Sequence, residues 1–301
     1  MSSPRFSLER QAVRSAFNRA ALSYDAGAAL QREVASRMAE RLQYVKLAPA
    51  RVLDLGCGTG ADFALLSRAY PDARPIGCDW STVMLRQARD RVPRLKRLLP
   101  LLGRSMPQFV CAEASALPLR SCSIGLVWSN QMLQWLDDPG PSLREVQRVL
   151  EVGGLLMFST LGPDTLKELR QAFARDSAPH VHRFDDMHDV GDLLISCGFA
   201  DPVMDMETIT LTYADLNALV QDLRRSGASN RAAQRRRGLT GRALWQGARE
   251  AYEELRCEGR LPATFEVIYG HAWKPQPRVS EDGRAIVRFG SSRRERVPGT
   301  P

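Results

Sequence analysis

With 301 residues, 44% of them hydrophobic, the chain can bury a sizeable core as one large domain or a domain with an elaborated lid. It contains no run of 18 apolar residues, which excludes a helical membrane span, and its first ten residues lack the apolar stretch of a secretory signal, so a cytoplasmic protein is expected. The net charge of +8 is concentrated in Arg86 to Arg104 and Arg224 to Arg260; the first patch carries no interleaved aromatics, which argues against nucleic acid and leaves solvated helix faces or an acidic protein partner. Six cysteines without C-x-x-C spacing are expected as free thiols, and four histidines without a ligand cluster give little support to a metal site.

Residues 1–48 open with two helical patterns, Leu8 to Ala21 and Ala26 to Leu42. Leu30, Val34, Met38 and Leu42 form one apolar stripe of the second. Both precede the first strand and are expected to cover a cofactor site. Residues 49–160 then alternate strand and helix, the sign of a parallel sheet. The first strand runs into Arg51-Val-Leu-Asp-Leu-Gly-Cys-Gly-Thr-Gly60, where Asp54 precedes three alternating glycines and an amphipathic stretch from Ala61 to Ala69. Gly56, Gly58 and Gly60 can take positive φ and leave the backbone open to a ligand. The run alone also satisfies the dinucleotide pattern G-x-G-x-x-G/A.

The next strand ends at Asp79, 25 residues after Asp54. An acid there can accept two ribose hydroxyls, which suits NAD and S-adenosylmethionine (SAM) equally. A third apolar segment ends at Glu113 and continues Ala114-Ser-Ala-Leu-Pro118. The fourth ends at Asn130 and Gln131, and the fifth follows Gly153-Gly154. This series resembles the class I SAM-dependent methyltransferases, which favours SAM over a nicotinamide. The resemblance implies an α/β fold with a doubly wound, mostly parallel seven-stranded sheet, N-terminal helices and a helical lid. It also implies that Trp80 and Met84 flank the adenine, that Glu113 and Ala114 receive its amino edge, and that Asn130 and Gln131 lie near the reacting centre. Val92 to Pro107 reads as a basic insertion.

Residues 161–275 are expected to complete the same domain. Helices are expected over Gly162 to Arg170, Phe184 to Ile195 (stopped by Gly198), Asp215 to Arg225 and Thr240 to Cys257. Strands are expected over Pro202 to Tyr213 and Ala263 to Trp273, the latter an antiparallel partner. Residues 276–301, rich in Ser, Arg, Pro and Gly, read as a flexible tail.

A sulfonium is already electrophilic, so methyl transfer asks for a nucleophile held in line and for water to be excluded. A carboxylate acceptor would need no general base, being ionised at neutral pH, but would need a cationic clamp. Arg19, Arg32, Lys167, Arg170 and Arg183 are the candidates, with Arg183 the first choice for its loop position and its bidentate fork.

Four stretches narrow the resemblance: Phe17-Asn-Arg-Ala-Ala-Leu-Ser-Tyr-Asp25, Leu30-Gln-Arg-Glu-Val34, Ser129-Asn-Gln-Met-Leu-Gln-Trp-Leu136, and Ser159-Thr-Leu-Gly-Pro-Asp-Thr-Leu-Lys-Glu-Leu-Arg170. Together they resemble the biotin-pathway malonyl-[acyl-carrier protein] O-methyltransferase (BioC) family over roughly residues 14–273. That resemblance implies methyl transfer from SAM to the free carboxylate of a malonyl thioester on an acidic acyl carrier protein or on CoA. It places Tyr24 and Gln31 in a lid over the SAM site. Gly162-Pro-Asp-Thr-Leu166, the Pro179 to Phe184 loop and Leu261 to Trp273 are also similar to a mitochondrial complex I assembly methyltransferase homologue, a SAM-binding protein-arginine-modifying alternative.

Overall fold

The computed structural model describes residues 7–92, 106–238 and 240–277. Most of the basic insertion and nearly all of the tail lie outside the described residues. Three helices lead the chain, α1 (Arg10–Ala20), α2 (Tyr24–Gly27) and α3 (Ala29–Leu42), where the sequence pattern suggests two. The chain turns at Ser23, whose hydroxyl donates to the carbonyls of Ala20 and Arg225. Leu30, Val34, Met38 and Leu42 are all buried, as the helical spacing dictates.

The sheet has seven strands: β1 (Arg51–Leu55), β2 (Arg74–Asp79), β3 (Gln108–Cys111), β4 (Ile124–Ser129), β5 (Leu150–Leu161), β6 (Ala200–Tyr213) and β7 (Leu261–Trp273). Their order is β3-β2-β1-β4-β5-β7-β6. All pairs are parallel except those made by β7, which runs antiparallel to both β5 and β6. The strand order reverses between β1 and β4, and in such sheets a crevice opens beyond the carboxyl ends of the strands at that point.

Alternation along the strands sorts the core onto two faces. Val52, Leu126, Trp128, Leu155 and Met157 pack under α3, α7 (Lys167–Ala172), α9 (Leu216–Arg225) and α10 (Arg242–Glu253). Leu53, Val127, Leu156 and Phe158 face α6 (Gly140–Val149) and α8 (Met187–Ser196). The remaining helices, α4 (Phe63–Ala69) and α5 (Thr82–Arg91), follow β1 and β2. Among the described residues no helix is long and apolar enough to cross a membrane.

The Gly162 to Arg170 stretch begins its helix later than its sequence suggests, at Lys167. Residues 162–166 instead clasp β7. The Asp164 N–H donates to Glu266 Oε2 at 2.6 Å, Leu166 N–H to the Thr264 carbonyl at 2.6 Å, and Glu266 N–H to Thr165 Oγ1 at 3.1 Å. These bonds compete with helix formation, and Leu166 adopts a left-handed φ of 56°.

Gly270 on β7 sits opposite Phe158 of β5. A Cβ built there would lie 2.3 Å from Phe158 Cζ. Gly270→Ala is therefore expected to destabilise the fold by about 1–3 kcal/mol, the usual cost of overpacking. Urea denaturation measures this, and an unchanged midpoint would contradict the packing described.

Candidate active site

The carboxyl ends of β1, β2, β3 and β4 open into a cleft with two connected lobes. The larger has a volume of about 310 Å³ and the smaller about 150 Å³. Tyr24, Gln31, Gly56, Gly58 and Asn130 line both, so the lobes form one continuous site.

The glycine loop makes the floor. Gly56, Gly58 and Gly60 all have positive φ (79°, 51° and 72°), a region that L side chains enter only with strain. Gly56 also leaves no room for a side chain, since a Cβ there would meet Met132 Cγ at 2.5 Å. Gly60 lines neither lobe; its bare Cα faces Phe63 and Ala88, each 3.1 Å from a built Cβ. It serves the packing of α4 against α5, where the sequence suggests ligand approach.

Asp79 ends β2 with both oxygens engaged: Oδ2 accepts the Gly58 N–H at 3.0 Å and Oδ1 the Ser81 N–H at 2.7 Å. Burial pushes its pKa up to about 6, against those two hydrogen bonds and Arg14. Asp54 is buried, its Oδ2 has no hydrogen-bond partner among the described residues, and burial followed by Asp62 and Asp79 raises its pKa well above the usual carboxylate range. Asp62 accepts Trp128 Nε1–H at 2.8 Å and Asn130 Nδ2–H at 3.1 Å, and burial raises its pKa against those bonds. Asp25 accepts the Thr59 hydroxyl at 2.7 Å and is ion-paired with Arg91. Tyr24 stands among these four acids. Burial first, then Asp62, Asp79, Asp25 and Asp54, raises its phenol pKa, so the hydroxyl stays protonated.

Two amides close the cleft beyond β4. Gln131 holds a left-handed φ of 50°, its N–H bonded to Ser159 Oγ at 3.0 Å, and its Oε1 accepts Gln31 Nε2–H at 3.1 Å. Gln31 Oε1 and Gln131 Nε2 are left buried without partners among the described residues. Unpaired buried polar atoms are costly, and at a cleft wall they mark places where a ligand completes the hydrogen bonding. Trp80, Met84, Ala114 and Glu113 line the larger lobe, with Glu113 paired to Arg10 across the opening. Both partners are well exposed, so that pair is worth only about 0–1 kcal/mol and opens readily.

Every candidate cofactor residue except Gly60 therefore lines the cleft. Arg183 does not. It is exposed and lines a neighbouring cavity with Arg170, Phe173 and Phe184, beyond His182. The loop that carries it points its neighbour inward instead: His182 is buried edge-on to Trp135, with centroids 5.2 Å apart. Arg183 thus lies outside the cleft, whereas the sequence suggests it as the clamp of the site. Arg19 and Lys167 are exposed elsewhere, and Arg32 lines the smaller lobe while donating to the Asp25 carbonyl.

Phe17, Asp62 and Trp135 also line the cleft without having been singled out from the sequence. Phe17 packs edge-on to Trp135 at 5.1 Å. Both residues fall inside stretches that carry the family resemblance, the available signal for them. No group of three or more metal-ligating side chains occurs among the described residues.

Ionised Asp79 is the form that accepts ribose hydroxyls, so a nucleoside that uses it must displace a proton below pH 6. Affinity for SAM is expected to be level above about pH 6 and to fall about tenfold per pH unit below it. Titration calorimetry between about pH 5 and 8 tests this, and a flat profile excludes Asp79 as the titrating ligand.

Comparison with known proteins bears on the family and the fold. Residues 53–158 match the methyltransferase domain family. The malonyl-[acyl-carrier protein] O-methyltransferase of Gallionella capsiferriformans is 52% identical over 284 residues, covering 94% of this chain and 97% of that protein. The protein of the same name from Laribacter hongkongensis is 53% identical over 288 residues, again covering 94% and 97%. Among solved structures, a putative methyltransferase from Bacillus halodurans superposes with a TM-score of 0.53 at 16% identity, over 80% of this chain and 99% of that one, a likeness of fold.

Proposed function

Because the chain belongs to the malonyl-[acyl-carrier protein] O-methyltransferase family, we propose that it methylates the free carboxylate of a malonyl thioester, on an acyl carrier protein or CoA, with SAM as donor. Masking that charge as a methyl ester suits a cytoplasmic step at the start of biotin (pimeloyl) synthesis. The full-length relatives favour this function over the assembly-factor alternative.

One observation carries it: Asp25, Asp54, Asp62 and Asp79 surround the glycine loop, while Arg91 and Arg10 at the cleft are already ion-paired. A pyrophosphate laid on that loop would meet like charge, whereas a ligand bearing a sulfonium and an ammonium offsets the desolvated carboxylates. SAM, when bound, supplies an electrophilic methyl group.

The chain's own residues do the rest. Asp79 would accept the ribose hydroxyls, Gly56 and Gly58 would admit the nucleoside to the backbone, Trp80 and Met84 would hold the adenine ring, and Glu113 with Ala114 its amino edge. Asp54 and Gln31 Oε1 would accept from the ammonium. Asn130, fixed by Ser159 Oγ–H at 3.0 Å, holds Asp62 in place, and Gln131 Nε2 remains free to donate beside the reacting centre. Tyr24 closes the cleft against water and, kept neutral, donates rather than competes as a nucleophile. No general base is required, since the acceptor carboxylate is ionised at neutral pH. Arg170 and Arg183, which line the neighbouring cavity, would meet that carboxylate as it approaches.

Incubation with SAM should convert malonyl-carrier protein to its methyl ester, seen as one methylene of added mass by mass spectrometry. Full SAM binding without mass gain on malonyl-carrier protein or malonyl-CoA would overturn the proposal.

A further inference from the structure

The segment from Ser226 to Arg231 has two sides. Ser226 and Ala228 line the methyl-transfer cleft, while Asn230 and Arg231 line a separate cavity of about 480 Å³. That cavity gathers Arg231, Arg235, Arg236 and Arg237 around Glu9 and His180. Two acids pair with three of the four arginines: Glu9 with Arg235 at 2.9 Å and Arg237 at 2.8 Å, and Asp176 with Arg236 at 2.8 Å.

Arg231 is the exception. Its Nε is buried without a hydrogen-bond partner among the described residues, and burial, then Arg19 and Arg235, disfavours its charge against a weaker pull from Glu9. A desolvated guanidinium beside other cations is costly unless an anion completes it. The backbone around it is nonetheless fixed. Arg231 N–H donates to His182 Nε2 at 2.7 Å, Asn230 Nδ2–H to the Pro179 carbonyl at 2.6 Å, and Glu9 N–H to the Arg231 carbonyl at 3.0 Å. The structure therefore places, on a fixed backbone, a guanidinium without a hydrogen-bonded acid in the wall of a cavity, an arrangement suited to a phosphate oxygen.

The other side of the same residues meets the reaction. His182, which fixes Arg231, is edge-on to Trp135 of the cleft. A malonyl thioester is presented on a pantetheine arm that carries a phosphate at its far end, both on a carrier protein and in CoA. Resting on the function proposed above, we propose that this arginine cavity binds the phosphate of the acceptor's phosphopantetheine arm, with Arg231 its principal ligand. The site is distinct from the donor cleft and selects acceptors by their arm rather than by their acyl group.

The test compares 4′-phosphopantetheine with pantetheine by titration calorimetry, on the full chain and on Arg231→Ala and Arg231→Gln. The wild-type protein is expected to bind the phosphorylated arm at least tenfold more tightly, and both variants to lose that preference while keeping SAM affinity. Because the Arg231 side chain makes no hydrogen bond that the fold uses, both variants should melt no lower than wild type. A wild-type protein indifferent to the phosphate, or variants that keep the preference, overturns the proposal even if malonyl-carrier protein is methylated. Conversely, a phosphate preference lost in the variants without any methyl transfer leaves the arm site standing and removes the function proposed above. In turnover, a KM rise in the variants that is larger for malonyl-carrier protein assigns the cavity to the arm's phosphodiester. A larger rise for malonyl-CoA assigns it to that molecule's phosphates.

Discussion

Asp79→Ala is expected to weaken SAM binding at least 100-fold. Two ribose hydroxyls donating to a carboxylate contribute roughly 1.5–3 kcal/mol each, and each 1.4 kcal/mol is about a factor of ten in affinity. The carboxylate has room for them, since two oxygens offer about four acceptor sites and the fold uses two, for Gly58 and Ser81 N–H. Asp79→Asn keeps an acceptor of the same shape and should fall between the two, with the drop in affinity below pH 6 abolished. Titration calorimetry with circular dichroism as a folding control checks both variants. An affinity within threefold of wild type for Asp79→Ala removes Asp79 from the nucleoside site.

Gly56→Ala is expected to cost at least about 30-fold in SAM affinity, for a different reason. The φ of 79° strains any L side chain by about 1–3 kcal/mol, and the Cβ would press on Met132 Cγ at 2.5 Å, adding a further overpacking cost of about 1–3 kcal/mol. The loop can relieve that strain only by moving away from Met132, which moves the floor of the cleft. Gly58→Ala is the informative control. Its φ of 51° is also left-handed, but the nearest atom to a built Cβ is Tyr24 Cε1 at 4.0 Å. Strain without collision should produce a smaller loss. Equal losses at the two positions would show that backbone conformation alone, and not the contact with Met132, governs the site.

The features that the sequence made plain share one property: they are local. Strands ending in Asp54, Asp79 and Asn130 could be recognised because apolar runs, turn glycines and terminal acids lie next to one another in the chain. β7 could be read as a closing antiparallel strand because its β-rich run stands alone after the last helix. The donor cleft followed, since the strand-order reversal brings those ends together whatever the rest of the chain does.

What could not be read depends on contacts between distant segments. Asp62 looks like an ordinary acid just before α4, and its importance arises from Trp128 on β4 and Asn130 just after it. Arg183 reads as one arginine in the loop after β5 and α7, but which side of that loop faces inward is decided by His182 packing on Trp135 and bonding to Arg231. The helix expected from Gly162 is delayed to Lys167 because Glu266, about a hundred residues away, captures the Asp164 N–H. Arg231 itself reads as one arginine among many in a basic stretch. Only the fold shows that Arg235, Arg236 and Arg237 have acidic partners and Arg231 has none at its Nε.

Titrating the protein in parallel with SAM and with NAD separates the two ligands that a glycine loop followed by a strand-end acid can serve. The carboxylate-lined cleft predicts saturable binding of SAM at one site per chain, and no detectable heat with the dinucleotide. Binding of the pyridine nucleotide, or silence with SAM from a folded sample, would contradict the account at its foundation.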